Sequence, residues 1–81
     1  DETTAEVKSA AARMIRDARV KRPPRAKEYA WRTFMRASDE AAVICANHIL
    51  ASDLPAALMW ARVWLLLDDL SAKTAMRRLA A

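Results

Sequence analysis

Residues 39–67 read DEAAVICANHILASDLPAALMWARVWLLL. Two apolar runs, residues 41–46 and 55–67, flank Ser52 and Asp53. Asp accepts hydrogen bonds from the free N–H groups that open a helix, and Pro is tolerated in the first helical turn, where it leaves no bond unmade. Asp53 with Pro55 therefore predicts that one helix, residues 39–51, ends here and a second, residues 53–68, begins. A connection this short predicts an antiparallel hairpin. Along the second helix Leu54, Ala57, Leu58, Ala61 and Leu65 form one apolar stripe, and Trp60, Trp64 and Leu67 form another. The run 41–46 has no polar residue, so its helix is expected to be covered on several sides.

The chain has no glycine and three prolines, and is rich in Ala, Leu, Met, Arg and Glu. These residues lose little side-chain freedom in a helix, and nothing supplies the positive-φ positions that tight hairpins of strands prefer. An all-α fold follows: a compact four- to five-helix bundle around the central hairpin. N-terminal to it, Thr3 and Glu6 have the spacing of a capping box, opening a helix over residues 3–21. Val7, Ala11, Met14, Ile15 and Ala18 recur at helical spacing on its core side. Pro23 and Pro24 end it and start another over residues 24–36, with Ala30, Trp31, Phe34 and Met35 apolar. Ser38 and Asp39 are natural caps for the helix of residues 39–51, and Ser71 for a short last helix over residues 72–80. The chain divides into a basic hairpin, 3–36, an apolar hairpin, 39–68, and a terminal helix, all in one domain spanning 1–81.

At 81 residues one hydrophobic core supplies only about 3 to 5 kcal/mol, so small chains lean on disulfides, metals or oligomerisation. A single cysteine, Cys45, excludes an internal disulfide, and a single histidine, His48, argues against a metal site within one chain. That leaves association. Each large apolar side chain is worth about 1.5 to 3 kcal/mol when buried, and three short helices cover two broadly apolar ones poorly. Part of the fourth helix is expected to meet a protein partner or a second copy in a homodimer, with Leu58, Trp60, Trp64 and Leu67 as interface. The alternative is a monomer with that helix at its centre. The free Cys suits a reducing, cytoplasmic setting. The longest apolar run, residues 55–67, is too short for a membrane span, which needs roughly 20 residues.

Charge is distributed unevenly. Residues 8–36 hold ten bases against two acids, whereas residues 37–72 hold one base against five acids. Clustered Lys and Arg favour phosphate through counterion release, which makes Arg13, Arg16, Arg19, Lys21, Arg22 and Arg25 candidate nucleic-acid contacts. The same charges also serve simply to solvate amphipathic helices. Further on, Ser71, Thr74, Arg77 and Leu79 have an S-x-x-T-x-x-R-x-L spacing, with Lys73 beside Thr74. This resembles the recognition helix of a bacterial helix-turn-helix repressor, with Asp69 where the turn usually has Gly. The resemblance implies that Ser71, Lys73, Thr74 and Arg77 face the major groove of DNA. Ser52-Asp53-Leu54 with Ala57 resembles one tetratricopeptide-like helix pair, which implies helical packing.

Catalytic chemistry has little to draw on. His48 has no evident carboxylate to orient it, Cys45 sits in apolar company, and Asp68 and Asp69 project to different sides of a helix. No Gly-rich phosphate loop exists. The expectation is a non-enzymatic module with no cofactor, no metal and no small-molecule substrate. Its leading function is protein–protein interaction, and the alternative is a small basic DNA-binding regulator of helix-turn-helix type.

Overall fold

A computed structural model describes residues 2–23, 25 and 30–80, with the side chains of Glu2 and Thr3 outside that set. The chain is all-α, with three helices among the described residues: α1, Glu2–Lys21; α2, Ala30–Leu50; and α3, Leu54–Ala80. Three long helices replace the expected four or five. The breaks expected at Ser38-Asp39 and at Asp69-Ser71 are absent, and the chain runs helically through both. The physical reason is that Ser and Asp are good caps without being breakers. In a helix interior each costs a few tenths of a kcal/mol, against about 3 kcal/mol for Pro, and neither segment contains Pro or Gly. Pro23, by contrast, does follow the end of α1. Of the helix expected from Pro24, Arg25 is described and is not helical; Pro24 and Lys27 lie outside the described residues, as does the Thr3 hydroxyl.

Ser38 and Ser71 do a different job from capping. Both are buried within their helices, and the Ser71 hydroxyl donates to the Trp31 carbonyl of α2 at 3.1 Å. Toward the other end of the pair the Cys45 thiol donates to the Ala57 carbonyl of α3 at 3.3 Å. These two bonds fix the antiparallel register of α2 and α3 over most of the length of α2. The sequence reading of a hairpin here holds, including its turn. Ser52 adopts φ 58°. Its N–H donates to the Ile49 carbonyl at 3.0 Å while that of Asp53 donates to the His48 carbonyl at 2.9 Å, the paired bonds of a Schellman motif. Asp53 then caps α3, with Oδ1 accepting from the Ala56 N–H at 3.3 Å.

α1 packs against both members of the hairpin, less extensively than they pack on each other. Of the expected core positions Val7, Ala11, Met14 and Ala18 are buried and Ile15 is partly buried; Ala10, which was not expected, joins them, and together they meet Ala37, Ala41, Val63 and Leu67. Lys21 ties the end of α1 to α2 through a 3.0 Å ion pair with Glu40. The core is dominated by alanine, and its largest fully buried side chains are Leu67 and Val63. Alanine lets helix axes approach closely but contributes little transferred area, so the interior is tight and thin.

Candidate interaction surface

The thin core leaves large side chains outside it. On α3, Leu54, Leu58, Leu65, Met76 and Leu79 each expose between 56 % and 82 % of their surface. Leu50, at the end of α2, is 83 % exposed, and Ile49 and Val43 are exposed with it. Helical geometry puts the α3 residues on one side: from Leu54, steps of four, three and four lead to Leu58, Ala61 and Leu65. Steps of three and four return a helix to the same face. Val63 and Leu67, across the helix, are buried, as are Ala57 and Ser71 on the flank between.

The candidate interface residues therefore separate. Leu58 and Trp64 are exposed; Trp60 is part-buried and packs against the core. Leu67 is 0 % exposed and is a core residue, because it lies across the helix from Leu54 and Leu65. Leu54 and Leu65, which belong to the outer stripe, were not among the sequence candidates, nor were Met76 and Leu79. The signal for them was the four–three spacing, continued through a helix that the sequence reading divided at Ser71. Residues 41–46 of α2 likewise differ from expectation. Ala41 and Cys45 are buried, but Val43 and Ala46 face outward, so the run is covered on one side rather than several.

The basic candidates also separate. Arg13, Arg16, Arg19 and Arg22 are exposed, and among the described residues none of them is engaged in an ion pair. On α1, Arg13, Arg16 and Arg19 project from the side opposite its core face. Lys21 is exposed too but pairs with Glu40, whose hydrogen bond and charge raise its pKa above the ordinary lysine value. Arg25 is exposed and engaged in a contact of its own.

The four positions drawn from the repressor resemblance are not a free recognition face. Ser71 is buried and bonded to Trp31. Thr74 donates to the Leu70 carbonyl at 2.7 Å, and Lys73 pairs with Asp69 at 2.8 Å. Arg77 alone of the four is exposed with no bond or ion pair among the described residues. The turn that this motif requires is missing, because α3 is unbroken from Leu54 to Ala80.

His48 does have a carboxylate beside it: Asp53 Oδ2 lies 3.6 Å from Nδ1. The expectation that it lacked one is corrected, and the reason is the tight turn, which folds Asp53 back over the last turn of α2. The buried Cys45 thiol, one turn before His48, donates to the Ala57 carbonyl. Among the described residues no group of three His, Cys, Asp or Glu side chains is placed to hold a metal, and no helix is long and apolar enough to cross a membrane. No protein-family model, no curated protein and no solved structure matches this chain.

Proposed function

We propose that this chain is a non-enzymatic helical interaction module that binds a protein surface, its own or another's, through the outer apolar stripe of α3. The observation that carries this reading is the exposure of Leu54, Leu58, Leu65, Met76 and Leu79 along one side of a single helix. Scattered exposed leucines are ordinary on protein surfaces. A contiguous row of them on one helix is the kind of apolar patch that marks an interaction site, and a helix face read at three- and four-residue steps is a common way for proteins to dock. Trp64, exposed at its edge, is the residue type most enriched where binding energy concentrates.

The test compares the native chain with a Leu58→Ser/Leu65→Ser variant in sedimentation velocity over a range of concentrations and in capture from cell extract. Both substitutions are at exposed positions, so helix content by circular dichroism should be unchanged. The expected result is association, with itself or with a captured protein, that the variant loses. A native chain that stays monomeric and captures nothing the variant does not would overturn the reading.

A second reading rests on Arg13, Arg16, Arg19 and Arg22, exposed and without ion pairs among the described residues. We propose that this face binds phosphate of nucleic acid without base recognition, since three of the four expected recognition positions, Ser71, Lys73 and Thr74, are internally engaged. Fluorescence anisotropy of a mixed-sequence duplex should then show affinity that falls steeply between about 50 and 200 mM salt. Absence of binding at the lowest salt would remove this reading.

A further inference from the structure

We infer that the outer stripe of α3 is covered by a second copy of this chain, paired antiparallel about a two-fold axis near residues 66 and 67. This rests on the interaction-module reading above and names the partner for the same surface. Three observations support it: the spacing of the stripe, the charges beside it, and the exposed ends of the hairpin.

The four–three alternation from Leu54 to Leu65 continues through Asp68 and Ala72 to Ala75 and Leu79. Such a repeat is the seam of a two-helix coil, in which each side chain enters a gap on the facing helix. With two copies antiparallel, Leu54 of one lies opposite Leu79 of the other. Leu58 faces Ala75, and Ala61 faces Ala72. Large then meets large at the ends and small meets large or small between, which lets two 27-residue helices approach along most of their length.

Asp68 decides the direction. A parallel, in-register pair would set Asp68 against Asp68, two like charges at one level of the seam. In the antiparallel pair Asp68 lies opposite Leu65, and Arg62 of the second copy comes within one helical turn of both Asp68 and Asp69. Arg62 and Asp69 are seven residues apart on the same flank of the stripe, both exposed, and Asp69 already pairs with Lys73 one turn along its own helix at 2.8 Å, so Arg62 of the second copy joins that pair. The two-fold axis brings each to the other's counterpart to within about two residues, or ~3 Å of helix rise. The contact therefore forms twice, as a symmetric interface requires.

The ends fit in the same arrangement. Trp31, bonded to Ser71, is the second residue of α2, whereas α3 continues nine residues past Ser71 to Ala80. That extension carries Met76 and Leu79, both mostly exposed. The other end of the hairpin carries the exposed Leu50, Leu54 and Leu58. Antiparallel pairing lays the extension of each copy on the hairpin turn of the other, joining Met76 and Leu79 to Leu50, Leu54 and Leu58, all mostly exposed in one chain. A standard interface buries about 800 Å² per partner, a small share of the 5865 Å² that one chain exposes.

The experiment uses the full chain and two single variants, Arg62→Asp and Asp69→Arg. Native protein should sediment at twice the 9.1 kDa of one chain at micromolar concentration. Each variant alone places like charges together at two symmetric points and should dissociate at least about tenfold more readily. Mixed one to one, the variants complement each other at both points and should recover a dimer containing one of each. Circular dichroism of each variant checks that it remains helical. A native chain that stays monomeric would overturn the second copy as partner, while capture of another protein by the same face would still uphold the interaction module. A native dimer whose two variants fail to recover each other's association would overturn the antiparallel pairing and leave the module reading standing.

Discussion

Ser52 is the residue at which the chain does something energetically awkward. Its φ of 58° is the left-handed conformation, which costs a residue with a Cβ about 1 to 2 kcal/mol and costs glycine nothing comparable. The turn accepts that cost because two backbone hydrogen bonds and the Asp53 cap depend on it. Ser52→Gly should therefore stabilise the fold by about 0.5 to 1 kcal/mol, the gain being trimmed by the greater freedom of glycine in the unfolded chain. The urea midpoint at fixed protein concentration measures it, and a decrease would contradict the assigned turn. Lys21 provides a second residue-level test. Its folded pKa is raised, first by the hydrogen bond to Glu40 and then by that carboxylate's charge. A folded pKa above the unfolded one means a contribution fully present below the ordinary lysine value of 10.5 and lost as pH rises through the folded value. Glu40→Gln should flatten the dependence of the urea midpoint on pH above that value. The change should be small, because both partners are exposed and surface ion pairs contribute little.

At the scale of the element, α3 shows what a linear sequence reveals and what it conceals. The hairpin was legible because Asp53 and Pro55 act locally: a carboxylate takes the Ala56 N–H whatever the rest of the chain does. The buried face of α1 was legible because only one of its sides is apolar. Ser71 was misread because Ser at a cap and Ser pressed between two helices present the same letter. Only the approach of Trp31 at 3.1 Å distinguishes them, and that contact spans 40 residues. The same ambiguity placed Leu67 with the interface. In an apolar helix, periodicity offers two faces for burial, and the choice between them belongs to whichever helices pack alongside. A pair of substitutions separates those faces. At concentrations where the chain is monomeric, Leu67→Ala should cost about 2 to 5 kcal/mol by opening a cavity, whereas Leu65→Ala should stay within about 0.5 kcal/mol. Urea denaturation of each variant checks it, and equal costs would show that the outer stripe is covered within one chain.

The whole molecule joins a tight alanine interior to a leucine exterior. Close packing of Ala10, Ala11, Ala37 and Ala41 against Val63 and Leu67 brings three helices together, yet removes less apolar area from water than a core of leucines would. The larger hydrophobic side chains, Leu50, Leu54, Leu65 and Leu79 among them, remain exposed. Stability of such a fold is linked to association: whatever binds the folded form and not the unfolded one stabilises it by mass action, by about 2.7 kcal/mol at a hundredfold excess over Kd. For a self-pairing chain the ligand is the chain itself. Its thermal midpoint should then climb with protein concentration, by several degrees per tenfold for a domain whose midpoint moves about 4 to 8 °C per kcal/mol. Leu58→Ser/Leu65→Ser should remove that climb and leave the low-concentration midpoint nearly unchanged, because neither side chain contributes to the interior. Calorimetry over a hundredfold range of concentration makes the measurement. A midpoint independent of concentration in the native chain would show that the chain does not pair with itself, and that the alanine interior sustains the fold alone.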